Sequence, residues 1–263
     1  MSDYDRNIAT APFGQTAARS SVAVDEGLRA YMLRIYNYMV LGLAITGAAA
    51  LGIYMLSVTT DPTLAALKLR DGLMLTALGK ALFVSQLKWV VILAPLAMVF
   101  VLSFGIERMR PATAQIMFWI YAALVGVSLA SIFLVFTHAS IIRVFFITAA
   151  SFGALSLWGY TTQRDLTGMG SFLLMGLFGV ILASLVNLFM ASSALQFAIS
   201  VIGVVVFAGL TAWDTQRLKT EYLYGAMDGE TTERSAIIGA LSLYLNFINL
   251  FTLLLQLLGQ RDE

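Results

Sequence analysis

Seven apolar runs, each near the length that crosses a bilayer as a helix, constrain this 263-residue chain more than any other feature. They fall at roughly 33–56, 89–106, 114–137, 144–161, 172–190, 196–216 and 237–258. A spanning helix needs about 20 apolar residues. Helices span because every backbone N–H and C=O must be satisfied internally where water cannot reach. The expectation is an all-α integral membrane protein with seven transmembrane helices. Pro111 stands where the third helix should begin, a position whose N–H lacks an intrahelical partner in any case. Pro95 falls in the first turns of the second helix, where a kink is allowed but not required.

With 59% hydrophobic and 12% charged residues, the chain lies outside the balance of a water-soluble domain. A net charge of +1 without a long basic block argues against nucleic acid as a partner, which needs a clustered positive footprint. The absence of cysteine excludes disulfides, thiolate metal sites and cysteine nucleophiles, and a single histidine, His138, cannot make a histidine cluster. His138 reads as an interfacial side chain at the outer end of the third helix.

Residues Met1 to about Glu26 are polar and aperiodic, so residues 1–28 are read as a flexible cytoplasmic tail and 29–259 as the membrane domain. Arg6, Arg19, Arg29, Arg34, Arg108, Arg110, Arg164, Arg217, Lys219 and Arg234 collect on the side of the N-terminus. Lys68, Arg70, Lys80, Lys88, Arg143 and Arg261 lie on the other. This bias favours a cytoplasmic N-terminus and an external C-terminus. The first outer loop holds LAALKLRDGLMLTALGKALF, read either as an amphipathic surface helix or as an ordered loop with some helix.

Polar residues inside apolar runs carry the functional signal. Asp214 sits in the sixth run, where a carboxylate facing lipid costs roughly 2.5–3.5 kcal/mol or more. Two readings stand for it: a gate carboxylate facing a cavity, or a structural ion pair with Arg217 at i+3 or with Arg108 or Arg110 of the second helix. On the seventh helix Gly239, Ser242, Asn246, Asn249 and Gln256 share one arc, which places that helix centrally with the arc toward the sixth. Ser242, Asn249 and Asn187 are candidate pore-lining residues, with interhelical hydrogen bonding as the plainer role for the asparagines. On the fifth helix Gly176, Gly179, Ala183 and Asn187 form a small-residue stripe expected to be a packing seam.

Catalytic arrangements find no support. An aspartyl protease needs two carboxylates sharing a proton, and only Asp214 lies well within a helix. Ser128 and His138, read on one helix, are about 15 Å apart and cannot pair. No phosphate loop, zinc motif or calcium-binding loop is present. Neither an enzyme nor a bound cofactor is expected.

The runs from Ser151 to Phe189, GLTAWDTQRLK (Gly209 to Lys219) and LSLYLNFINLFTLLLQLLG (Leu241 to Gly259) resemble the Bax-inhibitor family, in its bacterial YccA-like branch. The resemblance spans about Arg29 to Gly259. It implies a seven-helix fold with the C-terminal helix surrounded by the other six, in a bacterial inner membrane. It also implies a pH-sensitive calcium leak, with calcium as the permeant ion, governed by two aspartates and an arginine latch from the second helix. Asp214 matches the first aspartate. Asn246 stands at the second, in LYLNFINLF where channel-type members have LYLDFINLF. Arg108 best matches the latch, Arg110 nearly as well, and Glu107 beside them departs from the pattern. One carboxylate beside an amide lacks the shared proton of a carboxylate pair, so any leak is expected to respond at more acidic pH, or barely. A second role implied by the resemblance is regulation of a membrane-anchored AAA protease, engaged through the N-terminal tail.

Overall fold

In the computed structural model the described residues are 13–70, 73–105, 109–225 and 229–262. The elements are α1 (Phe13–Ser57), β1 (Val58–Thr59), β2 (Leu67–Arg70), β3 (Leu73–Leu75), α2 (Ala77–Phe83), α3 (Leu87–Gly105), α4 (Pro111–Leu129), α5 (Ile132–Val135), α6 (His138–Thr161), α7 (Thr167–Met190), α8 (Ser193–Tyr224) and α9 (Gly229–Leu258). Seven helical segments are long and apolar enough to span a membrane: α1 from Glu26, α3, α4 with α5, α6, α7, α8 and α9. These are the seven expected. α1 begins at Phe13, inside the stretch read as tail, and residues 1–12 lie outside the described ones.

α9 is the centre of the bundle. Its most apolar window is 61% buried, against 39% for α8 and less for every other span. It packs closely against α1, α4, α6 and α8, while α3 leans on α4 and α7 on α8. These four helices pack on it most extensively, and α3 and α7 are more peripheral. Tyr244 at its midpoint is fully buried, edge-on to Phe118 and Tyr121 of α4. Thr46 of α1 ties three helices there: its Oγ1 lies 2.6 Å from the Tyr244 hydroxyl and donates to the Ala122 carbonyl of α4 at 2.9 Å. Gly126 of α4 permits this approach, since a Cβ there would meet the Thr46 carbonyl.

Pro95 lies well inside α3 and cannot donate to the carbonyl of Val91, four residues earlier. Ser128 of α4 donates its hydroxyl to that carbonyl. A backbone acceptor that proline would leave bare in hydrocarbon is thus satisfied from the neighbouring helix. Pro111 occupies the first turn of α4, with Arg110 as N-cap.

Three expectations are corrected. The outer stretch from Leu64 is not a continuous surface helix: β1, β3 and β2 form a small antiparallel sheet, and helix begins only at Ala77, capped by Thr76. Leu67 and Leu69 alternate with Lys68 and Arg70 as a strand allows, and pairing of 67–70 with Leu73–Leu75 completes the sheet. His138 opens α6 instead of closing the third span. It is exposed, 5.4 Å from the Tyr54 ring and 5.6 Å from the Phe133 ring, and Ser128 lies on a different helix. On α7 the buried face runs through Gly170, Leu173, Val180 and Asn187, with Gly176 against Val206 of α8. Gly179 is exposed, with open space where a Cβ would stand, so it lies outside the seam.

Candidate functional site

α8 and α9 share the most extensive helix–helix contact in the molecule, and it brings Asp214 to the seventh-helix arc. The Asp214 side chain is only 6% exposed. Its Oδ2 accepts from Ser242 Oγ at 2.8 Å and from Asn246 Nδ2 at 2.7 Å. Its Oδ1 faces Arg217 Nη2 at 2.8 Å. Two donors thus come from the central helix and one from a turn further along α8. Burying a carboxylate is tolerable only when its lone pairs are met in this way. The spacing of Ser242 and Asn246, one turn apart, places both side chains over the same point on α8.

Arg217 is held in turn by the Trp213 ring, 5.0 Å from its guanidinium carbon, and its side chain is 42% exposed. Asp214 is therefore shielded from the core side and reaches the aqueous end through one arginine. The ion pair expected with Arg217 at i+3 is present. Arg110 is exposed at the start of α4 and pairs with no carboxylate among the described residues, and Arg108 and Glu107 lie outside them.

The other candidates take separate places. Asn249 donates to the Leu245 carbonyl of its own helix at 2.8 Å and does not reach Asp214. Asn187, at the far end of α7, accepts from Ser192 N and donates to Gln196 Oε1, both at 3.0 Å. It thereby closes the α7–α8 turn, where Ala191 adopts a left-handed φ of 50°. From Gln196 the network continues to Gln256 of α9 at 2.7 Å, and Ser200 joins at 2.9 Å. This cluster borders a cavity of about 500 Å³ that also touches Arg261. The arc on α9 therefore serves two polar clusters at opposite ends of one interface.

Two further polar links escaped the sequence reading. Tyr36 of α1 lies 2.5 Å from Ser156 of α6, and Ser156 lies 2.9 Å from Thr215 of α8. Ser235 donates to Glu221 at 2.8 Å and meets the Tyr31 hydroxyl at 2.8 Å, with Tyr31 stacked on Tyr222. The available signal was Ser, Thr or Tyr set among small residues, which is too common in spanning helices to single these out. No group of three or more His, Cys, Asp or Glu side chains suited to a metal ion occurs among the described residues.

Fold and site together define a seven-span membrane protein whose central C-terminal helix grips a buried carboxylate of its neighbour. A family model described as "Inhibitor of apoptosis-promoting Bax1" matches residues 28–263, and the chain belongs to this Bax inhibitor family. It is 42% identical over 238 residues to the inner membrane protein YbhL of Escherichia coli K12, covering 89% of this chain and 93% of that one. It is similar over the full length of both chains to an uncharacterized protein, RP147, of Rickettsia prowazekii at 44% identity. An uncharacterized protein of Caulobacter vibrioides is 43% identical, again over the whole of both chains.

Proposed function

We propose that this protein is a gated cation leak of a bacterial inner membrane, with calcium as the permeant ion, Asp214 as its proton- and cation-sensing group and Asn246 as that group's partner. The observation that carries this reading is the buried Asp214 carboxylate bridging α8 and α9 through Ser242 and Asn246. An ionised carboxylate accepts all three of its hydrogen bonds; a protonated one must turn a donor toward one of them. Protonation or a competing cation therefore weakens the grip between the two helices that share the core. Arg217 takes the part expected of Arg108 or Arg110: it is the cation that occupies the carboxylate in this state.

Calcium flux into liposomes containing the purified protein, followed over a pH series, tests the proposal. Wild type is expected to admit calcium with a pH-dependent rate, and Asp214→Asn to abolish the pH dependence. A wild-type rate equal to that of empty liposomes at every pH refutes the leak. A wild-type pH profile that survives in Asp214→Asn refutes the role of the carboxylate.

A further inference from the structure

The bundle is not closed between α1 and α6. Both helices pack extensively on α9, while they meet one another through the Tyr36–Ser156 hydrogen bond near one end of the gap. A cleft of about 1120 Å³ runs between them, floored by Phe247 of α9. Small residues create it: Ala44, Gly47 and Ala48 on α1 face Ala149 and Gly153 on α6. A Cβ added at Gly47 or at Gly153 would meet no atom within 4 Å. A second cavity of about 390 Å³ shares Leu43, Gly47, Phe145 and Phe247 with the first, so the opening continues along α1. Leu33, Val40 and Leu157 on its rim are exposed, which opens it sideways to the bilayer.

Water is a poor occupant. The hydroxyls of Tyr36 and Ser156 in the cleft already bond each other, and a buried water needs two to four polar partners. An empty cleft forfeits the dispersion contacts of its lining. Hydrocarbon is the filling that the walls accept. The cleft also has a polar end. Arg29 lines it near the start of the first span, exposed and without an ion pair among the described residues, and Tyr160 lines the same end on α6. From Tyr160 to Gly153 the helical rise covers about 10 Å and from Arg29 to Gly47 about 27 Å, so an acyl chain that starts at this end and fills about 15 Å of one leaflet passes Gly153 and points toward Gly47.

We propose that the α1–α6 cleft binds one anionic glycerophospholipid, with its phosphate on Arg29 and an acyl chain lying between Gly47 and Gly153. Charge complementarity selects the lipid class: one arginine at the membrane surface is worth about 1 kcal/mol toward an anionic headgroup, roughly a five-fold preference over a zwitterionic one. The small residues select an extended chain, since side chains of ordinary size on both helices would close the groove. This inference does not depend on ion conduction.

The full-length protein, reconstituted in equal amounts of phosphatidylglycerol and phosphatidylethanolamine and released into the gas phase, reports its retained lipids by mass. Wild type is expected to keep one phospholipid, enriched roughly five-fold in phosphatidylglycerol. Arg29→Gln is expected to keep a lipid without that enrichment. Gly47→Leu with Gly153→Leu is expected to keep none at unchanged helicity and thermal stability. The proposal is overturned if wild type retains no lipid, if the double-leucine variant retains it undiminished, or if the enrichment persists in Arg29→Gln. It is equally overturned if the retained mass is a peptide or a second copy of the chain. Should the double-leucine variant not fold, Gly153→Leu alone gives the same reading.

Discussion

Asn246→Asp restores a second carboxylate at the point where the α9 amide now meets Asp214. The amide nitrogen lies 2.7 Å from Asp214 Oδ2, so an aspartate in the same rotamer sets oxygen against oxygen unless one of them holds a proton. With charge centres about 4 Å apart and an effective dielectric of 20, two ionised carboxylates repel by about 4 kcal/mol. That repulsion favours one proton shared between the two carboxyls. Arg217 opposes the effect from the other oxygen, yet its side chain is 42% exposed, so solvent screens it. The repulsion therefore prevails over the arginine, and the shared proton distinguishes the variant from wild type.

Two measurements read this difference. The midpoint of the calcium flux profile in liposomes should move toward neutral pH in Asn246→Asp, and infrared spectra should show a protonated-carboxyl band persisting further toward neutrality than in wild type. Stability changes in a defined direction as well. A pair whose folded-state proton affinity is raised binds more protons folded than unfolded, so the variant loses stability as pH rises from the ordinary carboxylate range to the pair's upper titration. Superimposable flux profiles and infrared spectra for the two proteins would refute the reasoning, because they would show that the 2.7 Å contact does not couple the two positions.

Other outcomes follow from the same contacts. Ser128→Ala strips the Val91 carbonyl of its donor and should cost about 1–3 kcal/mol in thermal unfolding. In a Pro95→Ala background, where a backbone N–H becomes available, the cost should vanish, and a double-mutant cycle measures it. Gly159→Ala drives a Cβ into the Ala212 carbonyl across the α6–α8 seam and should cost about 1–3 kcal/mol, whereas Gly153→Ala, with nothing within 4 Å, should leave the melting temperature in place. Asp165 accepts from the Thr167 backbone and hydroxyl at 2.9 and 2.6 Å, which hold its carboxyl below the usual carboxylate range. Its contribution is present above that range and lost as pH falls through the lowered value, so amide exchange at the start of α7 should rise only in acid, and Asp165→Ala should remove that dependence.

The spans were legible because bilayer thickness sets their length and the chain repeats that length seven times. The central place of α9 was legible for a related reason: a polar arc on a spanning helix has to face protein. What escaped is what two periodicities leave undecided. LKLR and LML carry apolar residues that fit a helix face or a strand face, and pairing with Val58–Thr59 settles the choice. Gly176 and Gly179 are three apart and share a face on paper, yet the packed stripe follows 173, 176 and 180. The arginine on Asp214 was open among three because sequence spacing measures distance along one helix only. Arg217 at i+3 is within reach in any helix; a latch from α3 depends on a tertiary approach, and no such contact occurs among the described residues. Ser128, set aside as a nucleophile, repairs the backbone that Pro95 interrupts, a task visible only once α3 and α4 lie together.

The two polar clusters on α9 bear on how a leak through this interface would open. Asn246 and Gln256 are ten residues apart, about 15 Å along the helix. Between them Leu250 is fully buried with Val206, Phe207 and Leu210 of α8, and Leu253 packs on Gly203. Asn249 and Thr252, the polar residues of α9 in that interval, are bonded to their own helix. A hydrated cation would find carboxylate or amide oxygens at the Asp214 end and at the Gln256 end, whereas the hydroxyls of Thr211 and Thr252 and the Asn249 amide group between them bond to their own helices in a mostly apolar stretch, where stripping the cation's water costs several kcal/mol. On the proposed function this conformation would be closed, with the dry middle rather than Asp214 itself as the barrier. Opening of the proposed leak would require α8 and α9 to part at Leu250 and Leu253, a movement that the Asp214 contacts with Ser242 and Asn246 at one end of the seam would oppose. Leu250→Ser with Leu253→Ser should accordingly raise calcium flux at every pH while leaving its pH dependence intact. A rate unchanged from wild type would place the path elsewhere in the bundle.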